Sequence, residues 1–233
     1  MFLFSPILIA AAVIPAWFLL RYIRQMDLLE QEPPALIRKL VFLGLGATLL
    51  AALTESLGAA ALSYIFRDGG VIHDFLMYFV IVAVSEEGFK YLLMKRATWK
   101  HPAFNCMFDG VVYAVAISLG FALWENIGYV LQFGFATALV RAITAVPGHA
   151  SFGVFMGAMY GAAKRASIYG NEAESKRLRE QAVLVPILLH GLYDFIATGE
   201  NELYMILFFV FIFILFKKAK QTVTRLSAND SYF

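Results

Sequence analysis

Apolar residues run along this chain in seven stretches, about 2–20, 40–62, 71–94, 106–132, 137–163, 182–199 and 203–216, with short polar segments between them. A helix rising about 1.5 Å per residue crosses a bilayer core of about 30 Å in roughly 20 residues. The pattern therefore predicts an all-α, polytopic helical membrane bundle of about seven transmembrane helices. The last two stretches are short and are expected to tilt little or to sit in a thin, protein-lined region. The longest polar connection, 164–181, is too small to fold into a domain. Residues 1–233 read as a single integral-membrane domain, and any chemistry has to lie inside the bundle.

Six acidic or imidazole side chains stand out inside the apolar stretches: Glu86, Glu87, Glu125, His149, His190 and Asp194. A carboxylate at mid-bilayer costs about 2.5–3.5 kcal/mol even on the lenient insertion scale, so such groups mark functional sites by default. Helical spacing points most of them inward. His149 is followed at i+4 intervals by Gly153, Gly157 and Gly161, a small-residue stripe that lets membrane helices approach closely. Pro147 and Gly148 invite a kink just before it. Pro186, His190, Asp194 and Thr198 form another stripe, in which Asp194 is one turn from His190 and placed to orient its ring. Gly110, Ala114, Ser118, Phe121 and Glu125 share a third face, with Asp109 on the opposite side at a water-accessible end.

Glu86 and Lys90 form an i,i+4 pair, with Glu87 turned about 100° away. Adjacent carboxylates in a low dielectric resist ionising together, which suits a group that shuttles a proton. Counting depth from the polar segments places Glu86, Glu87 and His190 at one level and His149 and Asp194 a turn deeper. Glu125 counts out nearer the outer face and closer to Arg141. Either its helix is kinked or tilted, or Glu125 pairs with Arg141 as a buttress. Glu55 lies on a small-residue stripe with Gly44, Thr48 and Ala52 and reads as structural.

Composition agrees with a membrane bundle: 61% of residues are hydrophobic and 15% charged. Basic residues gather in the segments 21–39, 95–100, 164–181 and 217–225, whereas the opposite connections hold only Arg67. The positive-inside rule then puts the N-terminus outside and the C-terminus in the cytoplasm of a bacterial-type membrane. The net charge of +2 arises from this sidedness and implies no nucleic-acid partner. The first stretch lacks a basic n-region and is followed by Arg21 and Arg24, as expected of an N-out anchor. A single cysteine, Cys106, excludes an intrachain disulfide and reads as a packing residue.

The acidic and imidazole set can hydrolyse a peptide bond in two ways. In one, Glu86 or Glu87 is the general base, His149 and His190 bind the oxyanion, and Asp194 fixes a ring. In the other, zinc is held by His149, His190 and Glu86, with another carboxylate as base, although no His-Glu-x-x-His spacing is present. No cofactor is required by the first scheme. Either scheme needs these side chains within about 3–5 Å of a shared point. The same residues could instead line the proton or cation pathway of a small transporter or channel, but no internal repeat or pair of broken helices accompanies them.

The motifs resemble the PrsW family of intramembrane proteases over about residues 20–200. They are Glu86-Glu87-x-x-Lys90, Asp109-Gly110-x-x-Tyr113, Gly120-Phe121-x-x-x-Glu125-Asn126, Arg141 with His149 and Gly157, and His190-Gly191-x-Tyr193-Asp194. Asp27 and the Glu32-Pro33 step fit as well. More distantly, the pattern is similar to CAAX prenyl proteases and bacteriocin-immunity proteins. Its Glu125, where that group has His, and its Lys90, where that group has an Arg one place later, set it apart. The resemblance implies a membrane endopeptidase acting on a single-pass membrane protein, with site-1 cleavage of an anti-sigma factor in a stress response as the family precedent.

Overall fold

The computed structural model describes residues 6–233, so residues 2–5 of the first apolar stretch lie outside the described part. The chain is helical along almost its whole length. Helix α1 spans Pro6–Gln25 and α2 spans Pro34–Ile65; Pro34, at the first helical position after Pro33, lacks only an N–H that would have gone unpaired. Short α3 (Val71–Phe75) passes through a π-helical segment, Leu76–Val82, into α4 (Ala83–Thr98). Then come α5 (Met107–Phe133), α6 (Phe135–Ile143), α7 (Ala145–Ile168), α8 (Glu172–Ala197) and α9 (Glu202–Ala228). Asn171 and Asn201 start the last two by accepting the backbone N–H of Glu174 and Tyr204 at 3.1 Å.

Within the described residues, each of the seven apolar stretches falls on a helical rod. Five rods are long and apolar enough to cross a membrane: Pro6–Gln25, Pro34–Ile65, Met107–Phe133, Phe135–Ile168 and Glu172–Ala197. The other two differ for visible reasons. The 71–98 rod carries Glu86, Glu87 and Lys90 and is interrupted by the π segment, and the apolar run of α9 is bounded by Glu202 and Lys217. The polar connection expected over 164–181 is mostly helix, because α7 continues to Ile168 and α8 begins at Glu172. Their charged ends are thus extra helical turns and not a loop. The irregularity expected at Pro147 falls one turn earlier, at Thr144, between α6 and α7, which leaves Pro147 in the first turn of α7 where its missing N–H is tolerated.

Helix α5 is the axis of the bundle. From Phe108 to Ala122 it is buried all round, which suits a helix that is apolar on every face. The glycine stripe of α7 meets it at very short range: a Cβ added to Gly110 would stand 2.6 Å from the carbonyl oxygen of Gly157. Outward faces carry large exposed apolar residues such as Phe42, Leu53, Leu57, Phe209 and Phe213, as lipid contact requires.

Candidate functional site

Glu86, Glu125, His149, His190 and Asp194 line a cavity of about 350 Å³, with Glu87 enclosed behind them. Helix α4 supplies Glu86, Glu87 and Lys90, α7 supplies His149, and α8 supplies His190 and Asp194. One donor atom each from Glu86, Glu87, His149 and His190 lies within 4.8 Å of the other three. That separation is inside the reach a shared centre requires.

Lys90 is at the middle of the group and fully buried. Its Nζ lies 3.0 Å from Glu86 Oε2, 2.8 Å from Glu87 Oε1 and 3.2 Å from His149 Nδ1, and 3.8 Å above the Phe121 ring. The lysine thus bridges both carboxylates, because i,i+3 and i,i+4 neighbours both reach it on one face. The two glutamates are not equivalent. Glu86 lines the cavity, whereas Glu87 is fully enclosed and its Oε1 takes both Lys90 and His190 Nδ1, the latter at 3.0 Å.

Both imidazoles are held in the same way. His149 Nε2 lies 3.0 Å from Glu125 Oε2 and His190 Nε2 lies 3.3 Å from Asp194 Oδ2. Each ring therefore turns Nδ1 toward the Glu86–Glu87–Lys90 group and Nε2 toward an outer carboxylate. Lysine can only donate, so His149 Nδ1 is an acceptor and its Nε2 carries the proton that Glu125 receives. Every nitrogen of these two rings has a partner. Phe152 stacks on His190 at 4.9 Å between ring centres and closes its other face.

Glu125 joins this group, and of the two alternatives raised for it the pairing with Arg141 is the one present. Its Oε2 accepts Arg141 Nη2 at 2.7 Å as well as His149. Arg141 is anchored further by its Nε on Asn126 Oδ1 at 3.0 Å, and Asn126 in turn donates to the carbonyl of Ala12 at 3.1 Å. The depth mismatch came from the starting points. Glu125 is 18 residues beyond Met107, His149 is 19 before Ile168 and His190 is 18 beyond Glu172. All three thus lie about 27–29 Å along their helices.

Two residues sit differently from where the sequence put them. Glu55 lines the same cavity, with Oε1 buried and without a hydrogen-bond partner, so it belongs beside the site rather than to plain packing. A lone glutamate on a small-residue stripe gave no sign of this. Asp109, expected in reach of water, is fully buried: its carboxylate accepts the backbone N–H of Cys106 and Asn105 at 2.8 and 2.9 Å and so caps α5. Cys106 is buried against it, as its packing role requires.

Two carboxylates and two imidazoles suit zinc in kind and number. Glu87 Oε2, buried and without a partner, is a further free acceptor there. A carboxylate behind each imidazole is also the arrangement that fixes tautomer and orientation in histidine metal ligands. The residues present therefore fit the metal, provided the Lys90 ammonium yields its place among the donors.

Comparison with known proteins bears on the same residues. The family model described as PrsW family intramembrane metalloprotease matches residues 32–216. The chain is 35% identical over 210 residues to Protease PrsW of Oceanobacillus iheyensis, covering 89% of this chain and 92% of the relative. It is 32% identical over 218 residues to Protease PrsW of Bacillus subtilis, covering 92% and 94%, and 31% identical over 212 residues to that of Clostridioides difficile, covering 88% and 85%. No solved structure matches. These relatives are bacterial, and with several membrane-crossing helices this is a multi-pass protein of the bacterial cytoplasmic membrane. The chain belongs to the PrsW family of intramembrane proteases.

Proposed function

We propose that this chain is a zinc-assisted endopeptidase that hydrolyses a peptide bond of a single-pass membrane protein within the cavity lined by Glu86, Glu125, Arg141, His149 and His190. The observation that carries the zinc form is the matched pair of histidines, each with Nδ1 turned to the glutamates and Nε2 on a carboxylate. In this reading His149, His190 and Glu87 hold the metal, which when bound lowers the pKa of a water and polarises the scissile carbonyl. Glu86, the member of the pair that faces the cavity, takes the proton of the attacking water and returns it to the leaving amine. Glu125 and Asp194 keep the two rings in place. Arg141 also lines the cavity and has N–H groups beyond those given to Glu125 and Asn126, so it can bind the substrate carbonyl as charge develops.

The topology that accompanies this reading has seven spans, with the N-terminus outside and the C-terminus in the cytoplasm, by the distribution of lysine and arginine. The Glu125–Arg141 end of the cavity then faces outward. A substrate cut on its extracytoplasmic side, such as a membrane-anchored anti-sigma factor, is the one the family precedent suggests.

Reconstitution with a fluorescent single-pass substrate tests the proposal. Glu86→Gln is expected to keep bound zinc and to lose about 10²- to 10⁴-fold in cleavage rate, the contribution of a general base. Cleavage within a few-fold of the unaltered protein would remove Glu86 from the reaction. Full activity after chelation, with no metal left on the protein, would remove the zinc.

A further inference from the structure

A second acidic cluster lies far from the cavity, at the end of the bundle assigned to the cytoplasm. Asp27 in the α1–α2 connection, Glu32 just ahead of Pro33 and Asp109 in the first turn of α5 each offer a carboxylate oxygen, and these oxygens lie within 4.8 Å of one another. Exposed acidic clusters are common and mean little. This one is enclosed: Asp27 is 6% exposed, Glu32 2% and Asp109 0%.

The protein satisfies only part of it. Asp109 accepts two backbone N–H groups and the Cys106 thiol, and Glu32 Oε2 accepts the Tyr113 hydroxyl at 2.6 Å. Asp27 Oδ1 and Glu32 Oε1 are buried and have no hydrogen-bond partner. Asn105 Oδ1 and Asp230 Oδ2, on residues bonded to the same turn of α5, are likewise buried and unpartnered. Among the described residues none of the ion pairs made by lysine, arginine or histidine reaches Asp27, Glu32 or Asp109. Buried carboxylates without a cationic partner cost several kcal/mol each if ionised. They can escape that cost by keeping protons or by sharing a cation.

We propose that Asp27, Glu32 and Asp109 form a binding site for a hard divalent cation of the Mg²⁺ and Mn²⁺ class, which clamps the α1–α2 connection to the start of α5. The donor atoms select the class: all are oxygen, no imidazole is present, and the nearby thiol is already donating to Asp109. With no cation bound, the buried oxygens of Asp27 and Glu32 have no cationic partner, so a metal would take the place of protons there. Helix α5 is the buried axis that carries Glu125, so a clamp at its first turn holds the register of the helix that supports His149.

Mn²⁺ binding measured by electron paramagnetic resonance on the full chain in detergent tests this. The Glu86→Gln/Glu87→Gln chain is used so that the cavity site cannot supply the signal, and so that failure here leaves the zinc peptidase reading untouched. The expected result is one Mn²⁺ per chain, displaced by millimolar Mg²⁺, with affinity falling at least tenfold on adding Asp27→Asn and Glu32→Gln. An unchanged affinity in that variant overturns the proposal. Should the variant fail to fold, thermal unfolding of the Glu86→Gln/Glu87→Gln chain decides alone: a midpoint raised by Mg²⁺ is expected, because a ligand of the native state stabilises it. No bound Mn²⁺ and no shift would leave proton sharing as the way the cluster is neutralised.

Discussion

Replacing Glu125 with Gln removes a charge from a residue that contacts both Arg141 and His149 through one oxygen, at 2.7 and 3.0 Å. Two consequences follow, with different sizes. Breaking one partner of a fully buried ion pair costs about 3–5 kcal/mol. Here the side chains of Arg141 and Glu125 are 14% and 21% exposed, and Arg141 keeps its bond to Asn126, so a loss of about 1–3 kcal/mol in stability is expected. The second consequence concerns the ring of His149. Losing a carboxylate behind a histidine ligand lowers metal affinity or activity about 10- to 100-fold, equivalent to about 1.4–2.8 kcal/mol. Arg141→Gln separates the two effects, since it breaks the same ion pair and leaves the acceptor of His149 in place. Zinc affinity by competition with a chromogenic chelator, kcat and KM by substrate cleavage, and thermal midpoints should be measured for both. Glu125→Gln should weaken zinc binding and lower kcat; Arg141→Gln should lower kcat/KM with zinc affinity within about twofold of the unaltered protein. Equal zinc affinity in Glu125→Gln and the unaltered chain would refute the positioning role, and equal weakening in both variants would reduce Glu125 to a buttress for Arg141.

Asp194→Asn acts on the other ring and should be milder, under about tenfold in zinc affinity, because its contact is 3.3 Å and its side chain is 24% exposed; a loss larger than that of Glu125→Gln would reverse the ranking. Gly110→Val should destabilise by more than about 1–3 kcal/mol or prevent folding, since even a Cβ there would meet Gly157 and Gly161 backbone at 2.6 and 2.7 Å. Gly128→Ala, with nothing within 4 Å, is its control and should be neutral or slightly stabilising in thermal unfolding. In buffer stripped of divalent cations, stability should fall as pH rises from about 4 to about 9. Asp27 and Glu32 have native values of about 7 and about 9, above their ordinary 3.8 and 4.5, so the native state binds more protons across that window. Asp109, Asp230 and Glu30 push Asp27 in the same direction, and Asp27→Asn should flatten the slope; a midpoint that climbs with pH would contradict the sign.

The bundle itself was legible before any coordinate. Apolar length and the cost of intramembrane charge are local properties of the chain, and an i+4 spacing fixes a shared helix face wherever the helix goes. Those rules alone oriented His149 along a glycine stripe and placed Asp194 behind His190. What they could not supply was rotation and height of one helix against another. The depth count failed for Glu125 because a charged sequence such as 164–181 can be a loop or extra helical turns, and only the packed structure shows that α7 and α8 run on through it. The inequality of Glu86 and Glu87, the entry of Glu55 into the cavity wall and the meeting of Asp27 and Glu32 with Asp109 have the same origin. Each depends on contact between segments far apart in the chain, set by close packing of small residues around α5 and not by any residue's near neighbours. The sequence alone determined which groups had to avoid lipid; the tertiary structure decided which of them face one another, because inter-helix geometry is a property of the whole packed bundle.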